Sequence, residues 1–254
     1  MAEKIIIDAG HGGANPGATY KGRRESDDAL RLALAVGNLL KKDGFDVVYT
    51  RTGDITQSVG EKAALANASG ADLFLSIHRN AAAKDNLYNG VQTLIYGPGG
   101  LREEVAGNIA DKLEDVGFKN LGIDIRPNLV VLNRTKMPAV LVEAGFIDND
   151  QDNRLFDNHF QHMAEAIASG VEESLGHPES DHAPRYTVQT GLFRNKVYAD
   201  NLLLRLKRQG YPATLDFDGT YYRVRVGSYE DLDQAVDMEQ RLKNRGYTTF
   251  LTTI

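Results

Sequence analysis

Residues 4–11 read KIIIDAGH, and this stretch indicates the class of fold. Lys4–Ile7 is a short apolar run typical of a buried strand, and a glycine-rich segment follows it. The next segment, Ala29–Lys42, has apolar residues at helical spacing and is followed by Gly44, a usual helix terminator. A second strand is predicted over Asp46–Thr50. A strand, a helix and another strand in this order indicate an α/β unit with parallel strands.

The same alternation continues to residue 175 and predicts one domain over residues 1–175. Its expected architecture is a mostly parallel twisted sheet that is flanked by helices on both faces. Further helices are predicted over Glu61–Ala68, Arg102–Val116 and Phe160–Leu175, and further strands over Leu73–Ile77, Val91–Tyr96, Val130–Leu132 and Ala139–Val142.

The composition changes over residues 176–184, GHPESDHAP, which contain two prolines, two histidines and no apolar periodicity. We interpret this segment as a linker, with the side chains of His177 and His182 in solvent. The residues beyond the linker, 185–254, then form a second predicted domain of their own.

An internal repeat with an offset of 36 residues runs through this second domain. Tyr186–Phe193 aligns with Tyr222–Tyr229, and each half reads as strand, turn, helix, glycine and strand. Two such halves predict a βαββαβ domain of the ferredoxin or RNP-like type, with two helices on one face of one sheet. The other matched pairs are Ala199 with Ala235, Leu206-Lys207 with Leu242-Lys243, and Gly210-Tyr211 with Gly246-Tyr247.

The overall composition excludes several classes of function. The chain has 254 residues, of which 42% are hydrophobic and 25% are charged, as in a globular protein. It has no cysteine, which excludes disulfides, thiolate metal sites and cysteine nucleophiles. The net charge of −6 argues against nucleic acid as a partner. Residues 185–254 carry a net charge of +3. This charge either suits an anionic or polymeric partner or reflects ordinary variation of charge along the chain.

Targeting and membrane signals are not evident in the sequence. The start, MAEKIIID, holds only three consecutive apolar residues, whereas the apolar part of a secretory signal has about 7–15. No run approaches the ~18 apolar residues of a membrane span. We therefore expect synthesis in the cytoplasm without a signal peptide, and no insertion into a membrane.

Two histidines follow predicted strands and are expected at one edge of the sheet. His11 comes after the first strand in DAGHGG, and His78 ends the third strand in SIHRN. Ligands of α/β sheets bind at the carboxyl ends of the strands, where these two side chains would meet. Because catalytic zinc takes three protein ligands and a water, the pair predicts a metal site with one more His, Asp or Glu.

Two glutamates are candidates near this site, and their positions leave the role of each open. Glu25 precedes the first long helix, where an acidic side chain stabilises the helix dipole, as Asp27 or Asp28 would do equally well. Glu143 ends the apolar strand AVLVE, where a carboxylate is costly unless it is paired or functional. It is either a proton shuttle beside a metal or one partner of a surface salt bridge.

Taken together, the motifs of residues 3–175 resemble the zinc-dependent N-acetylmuramoyl-L-alanine amidases of the amidase_3 type. The resemblance implies one zinc ion per chain, held by His11, Glu25 and His78. It implies that Glu143 is the catalytic acid/base. The implied reaction is hydrolysis of the amide between N-acetylmuramic acid and L-alanine in peptidoglycan. The matching segments are IIIDAGHGGANPGA, TRTGD, ADLFLSIHRNA and MPAVLVEAGFIDN.

Two positions depart from the usual pattern of that family. Arg79 follows the second histidine, where the family often has a small residue. Glu61 lies near a position where the family usually has an arginine. These departures affect the expected substrate contacts and leave the implied metal ligands unchanged. We expect Asn80 or Arg79 to contact the substrate beside the oxyanion of the reaction.

Residues 185–254 are similar to SPOR domains, which bind peptidoglycan glycan strands stripped of their stem peptides. RNA-recognition domains share the βαββαβ order, but the segment Tyr221–Gly227 lacks their aromatic-rich motif. The chain is therefore predicted to be a monomeric autolysin or endolysin that acts at the bacterial cell wall. A zinc peptidase that cleaves within the stem peptide and a non-catalytic wall-binding protein are the alternatives.

Overall fold

A computed structural model describes residues 3–176, 186–217, 219–229 and 231–253. Contacts divide the chain into two compact units, residues 1–179 and 180–254, each with its own hydrophobic core. The predicted linker, apart from Gly176, lies outside the described residues, and so do His177 and His182.

The larger unit is built on a six-stranded sheet. Its strands in chain order are β1 (Lys4–Ala9), β2 (Thr19–Tyr20), β3 (Arg23–Arg24), β4 (Asp46–Tyr49), β5 (Leu73–Asn80), β6 (Val91–Ile95), β7 (Asn120–Ile125) and β8 (Ala139–Phe146). Six of them form one sheet in the order β4-β1-β5-β8-β6-β7, while β2 and β3 form a separate hairpin. The first four strands of the sheet are parallel, and β6 is antiparallel to β8 but parallel to β7. The sheet is mostly parallel, as predicted.

Helices cover both faces of this sheet. They are α1 (Glu25–Lys42), α2 (Val59–Ser69), α3 (Leu101–Asp115), α4 (Val130–Asn133), α5 (Asp150–Asn158) and α6 (Phe160–Leu175). Along β1, Ile5 and Ile7 pack into one apolar cluster with α1, α3 and α6, whereas Ile6 packs into a second cluster with α2 and α4. Because β1 is buried from both sides, consecutive residues of the strand are apolar. The predicted fold class is confirmed.

One predicted strand is wrong, and the hairpin of β2 and β3, strand β7 and helix α5 were not predicted. Val130–Leu132 lies in α4, because a helical turn buries Val131 and Leu132 against the second cluster. The sixth strand of the sheet is instead β7, an edge strand whose residues are all at least partly exposed. Its sequence, NLGIDI, alternates polar or small residues with apolar ones, which is the signal of a half-exposed strand. Helix α5 also has no counterpart among the predicted helices.

The first long helix begins earlier than predicted, at Glu25 rather than at Ala29. Its first turn holds Glu25, Asp27 and Asp28, and the helix dipole stabilises acidic side chains at this end. The backbone N–H of Glu25 donates to the carbonyl of Ala18 at 2.9 Å. This bond ties the start of α1 to the preceding loop and fixes the backbone of Glu25.

The smaller unit has the predicted βαββαβ order. Its elements are β9 (Tyr186–Phe193), α7 (Lys196–Arg208), β10 (Ala213–Phe217), β11 (Tyr222–Tyr229), α8 (Leu232–Asn244) and β12 (Phe250–Thr253). The four strands form one antiparallel sheet in the order β10-β11-β9-β12. Ala199 and Leu206 of α7 are fully buried, as are the repeat-related Ala235 and Leu242 of α8. Within the described residues, no helix of either unit is long and apolar enough to cross a membrane.

Candidate active site

The carboxyl edge of the larger sheet gathers four of the side chains that the sequence analysis selected. His11 follows the end of β1, His78 lies in β5, and Glu143 lies in β8 as the register partner of His78. Glu25 begins α1. Because β5 lies between β1 and β8, residues that are distant in sequence become neighbours. All four line one cavity of about 580 Å³.

Glu25 and the two histidines are close enough to share one metal ion. The Oε1 atom of Glu25 is 3.0 Å from Nε2 of His11 and 2.8 Å from Nδ1 of His78. One ligand atom from each of the three side chains lies within 4.8 Å of the others. Two imidazole nitrogens and one carboxylate oxygen are a donor set of catalytic zinc sites, in which water takes the remaining position. The residues therefore fit a zinc ion.

The carboxyl group of Glu25 is buried and hydrogen-bonded at both oxygens. Oε2 accepts the N–H of Ala18 at 2.9 Å, and Oε1 accepts the N–H of Arg79 at 3.2 Å. Burial alone would raise the pKa of Glu25, but the hydrogen bonds to His11 and His78 outweigh it and hold the pKa well below its usual range. Glu25 is therefore ionised at neutral pH, as a metal ligand must be.

Glu143 differs from Glu25 in having an unsatisfied oxygen. Its Oε2 atom is shielded from solvent and has no hydrogen-bond partner among the residues that the structure describes. Burial raises the pKa of Glu143 to about 7, although the nearby His78 acts in the opposite direction. A carboxyl group that gains and loses a proton near neutral pH is suited to general acid and base catalysis. This environment favours a proton shuttle over one half of a surface salt bridge.

Two glycines allow the ligands to pack directly against the backbone of the loop after β1. A Cβ atom on Gly10 would lie 2.5 Å from Cε1 of His78, and one on Gly17 would lie 2.5 Å from Oε2 of Glu25. Gly17 also has a φ of +69°, in the left-handed region that favours glycine. The close packing of His78 and Glu25 against this loop therefore requires Gly10 and Gly17.

A buried ionic network lies next to the site and was not predicted from the sequence. The carboxylate of Asp8, within β1, is 2.9 Å from Nζ of Lys62. It also accepts hydrogen bonds from the hydroxyls of Thr50 at 2.6 Å and Ser76 at 2.8 Å. Lys62 in turn donates to the carbonyl of Ala9 at 2.6 Å, which holds the end of β1. The available signal was the charge of Asp8 inside an apolar strand, because a buried carboxylate must be paired.

The guanidinium group of Arg79 makes several contacts within the protein. It is buried 2.5 Å from Oδ2 of Asp28 and donates to the carbonyls of Gly145 at 3.1 Å and Phe146 at 3.2 Å. A further bond, of 2.8 Å, reaches Oδ1 of Asn153. These contacts tie α1 to the end of β8 and to α5. Arg79 also lines the cavity, and a contact between Arg79 and the substrate stays a prediction.

Asn80 lies in the wall of the cavity, at the end of β5. Its Oδ1 atom accepts the N–H of Ala81 at 2.8 Å. Arg126 and Asn128, just before α4, line the same cavity and were not selected from the sequence. A contact between Asn80 and the substrate stays a prediction.

Comparisons with known families agree with this geometry. Residues 5–173 match the family model described as N-acetylmuramoyl-L-alanine amidase. The chain belongs to the N-acetylmuramoyl-L-alanine amidase family. Residues 183–253 of the amidase match the model of the SPOR domain. The prediction of a cell-wall amidase with a C-terminal SPOR domain is thereby confirmed.

Relatives of the amidase are similar over most of their length. The sporulation-specific N-acetylmuramoyl-L-alanine amidase of Bacillus subtilis (strain 168) is 34% identical over 214 residues, which are 82% of this chain and 82% of the relative. The N-acetylmuramoyl-L-alanine amidase CwlM of Bacillus licheniformis is 36% identical over 220 residues, 83% of each chain. The crystal structure of the N-acetylmuramoyl-L-alanine amidase from Clostridium difficile 630 has a TM-score of 0.66 at 32% identity and covers 70% of this chain and 99% of its own.

Proposed function

We propose that the amidase hydrolyses the amide between the lactyl group of N-acetylmuramic acid and L-alanine, with one zinc ion held by His11, Glu25 and His78. The observation that supports this most is the convergence of the three ligands and Glu143 on one cavity. A zinc ion bound there would polarise the amide carbonyl and lower the pKa of a water at the site. Among the three ligands, Glu25 alone supplies a negative charge.

Glu143 transfers the proton in this proposal. An amide has a poor leaving group, so the departing nitrogen must be protonated. The carboxylate of Glu143 accepts a proton from the attacking water and then gives it to the amine of L-alanine as the amine leaves. Its unpartnered Oε2 atom supports this role, because it is an acceptor that no protein group occupies within the described residues. Asn80 is the proposed substrate contact in the cavity wall.

End-group analysis of digested peptidoglycan, with and without a chelator, tests the proposed reaction. We expect new amino groups on L-alanine while muramic acid stays intact, because the cut lies between the two. Removing zinc with the chelator is expected to reduce this release to background, and added zinc should restore it. New amino groups inside the stem peptide would indicate a peptidase, and no new end groups would indicate a wall-binding protein. Release that resists chelation would contradict the zinc site.

We also propose that residues 185–254 hold the amidase on the glycan strands of the cell wall. This proposal is supported by the match to the SPOR domain and by the separate hydrophobic core of the smaller unit. A weak binding module that is tethered to an enzyme raises the local concentration of substrate without changing the catalytic site. The module should therefore matter for polymeric substrate only.

Deleting residues 185–254 is expected to lower the rate on intact sacculi by about 10-fold or more and to spare soluble muropeptides. The reason is that a small muropeptide reaches the catalytic cavity without any tether. Initial rates of the full chain and of a chain ending at residue 184 would be compared on both substrates. Equal losses on both would show that the smaller unit supports the catalytic unit structurally, and an unchanged rate on sacculi would contradict a tethering role.

A further inference from the structure

Asn15 contacts the metal-binding loop at two points. Its Oδ1 atom is 3.0 Å from the backbone nitrogen of Gly17 and 3.2 Å from Nδ1 of His11. A backbone N–H can only donate, so the atom of Asn15 that faces both groups is the amide oxygen. An amide oxygen can only accept, and therefore Nδ1 of His11 must carry the proton of this second bond.

The position of this proton decides which ring nitrogen of His11 binds a metal. A neutral imidazole has one protonated nitrogen, and a metal takes the other. With the proton on Nδ1, Nε2 is the nitrogen left for a metal, and a bound ion would take the place of the hydrogen bond that Nε2 makes to Oε1 of Glu25 at 3.0 Å. His78 faces Glu25 with Nδ1 instead. The two histidines thus present different nitrogens, and each needs its own means of orientation.

The backbone of Asn15 is held independently of its side chain. Gly12 and Asn15 exchange two backbone hydrogen bonds, of 2.8 and 3.1 Å. The N–H groups of Gly13 and Ala14 donate to Asp54 and to Thr56, at 2.7 and 2.8 Å. A change of the Asn15 side chain therefore leaves these anchors of the loop in place.

We propose that Asn15 is a positioning residue that keeps the proton of His11 on Nδ1 and so directs Nε2 at the zinc ion. The inference rests on the proposed zinc site. Groups that accept a hydrogen bond from a metal-binding histidine usually change metal affinity about 10- to 100-fold when they are removed. Asn15 is expected to act within this range, through the tautomer and ring angle of His11.

Zinc titration against a chromophoric chelator tests the role of Asn15 in the full chain. Asn15→Ala is expected to weaken zinc binding about 10- to 100-fold. Asn15→Asp should bind zinc at least as tightly as the wild type, because a carboxylate accepts the same two hydrogen bonds. The control is Asn67→Ala on α2, which removes an amide that donates to the carbonyl of Arg134 and accepts the N–H of Lys136, at 2.8 Å each. That variant should leave zinc affinity unchanged.

Nitrogen-15 shifts of the His11 ring in the zinc-loaded wild type give a readout that does not depend on the folding of any variant. A protonated Nδ1 and a metal-bound Nε2 are expected. The inference is overturned by a proton on Nε2, or by an Asn15→Ala variant that binds zinc like the wild type. Failure of the wild type itself to bind zinc would instead contradict the proposed function.

Discussion

Glu143→Gln is expected to lower the turnover number about 100- to 10,000-fold while one zinc ion stays bound to each chain. Glutamine keeps the size and shape of the side chain but cannot accept the proton of the attacking water. The three proposed zinc ligands are untouched, because none of their hydrogen bonds within the described residues involves Glu143. Turnover on a soluble muropeptide and zinc content per chain would be measured together.

The same variant should be at least as stable as the wild type. Glu143 is partly exposed, but its Oε2 atom is shielded from solvent and has no partner among the described residues. Burial of the carboxyl group disfavours its charged form and raises its pKa. A neutral amide removes that cost, so the midpoint of thermal unfolding is expected to stay or rise. Glu104→Gln replaces an exposed residue on α3 and serves as the control. It should change neither the turnover number nor the midpoint of thermal unfolding. Retained hydrolysis in Glu143→Gln would remove Glu143 from the mechanism.

Gly10→Ala is expected to lower zinc affinity and turnover on the order of 100-fold, although it adds a single methyl group. The new Cβ atom would lie 2.5 to 2.7 Å from three atoms of the His78 ring, so the ring must move. The backbone cannot easily give way, because the N–H of Gly10 donates to Ile77 at 2.9 Å and its carbonyl accepts from Arg51 at 2.7 Å. Zinc titration and muropeptide turnover would both detect the displacement.

Gly60→Ala is the matched control for this prediction. Gly60 lies in α2, where an added Cβ would have a nearest neighbour at 3.9 Å and where alanine is a better helix former than glycine. We expect unchanged zinc affinity and a slight gain in stability for the control. Zinc affinity of Gly10→Ala equal to that of the wild type would show that the His78 ring has room to shift without losing the ion.

Local patterns in the sequence predict most of the fold. The apolar run of β1 is buried between two layers of helices, and the 36-residue repeat reappears as two related halves of the smaller unit. Prediction failed where burial was incomplete or an element was short. Strand β7 is an exposed edge strand with a weak apolar signal, and the apolar triplet Val130–Leu132 fits a helical turn as well as a strand.

The sequence by itself determined the α/β class, the two units and the placing of His11, His78 and Glu143 towards the carboxyl edge of the sheet, because strand periodicity and chain order are local properties. The strands of His78 and Glu143 continue to Asn80 and Phe146, past the ends predicted for them. Only the tertiary structure decided which acid of the first turn of α1 faces the histidines. Glu25 meets the histidines. Each residue of a helix is rotated by about 100° from the one before, so Asp27 points away from Glu25 and pairs with Arg24. Asp28 lies on nearly the same face as Glu25 but one turn further along the helix, where it pairs with Arg79.

The environment of the Arg79 side chain is also decided by the tertiary structure and not by the local sequence. Consecutive residues of a strand point to opposite faces of the sheet, so His78 reaches the cavity while the Arg79 side chain is buried against Asp28. The sequence shows that the two residues are adjacent in β5, but the partner of Arg79 lies 51 positions away in the chain. Contacts between distant segments form only when the sheet and α1 pack together, and for that reason only the tertiary structure shows that Asp28 holds the Arg79 guanidinium group.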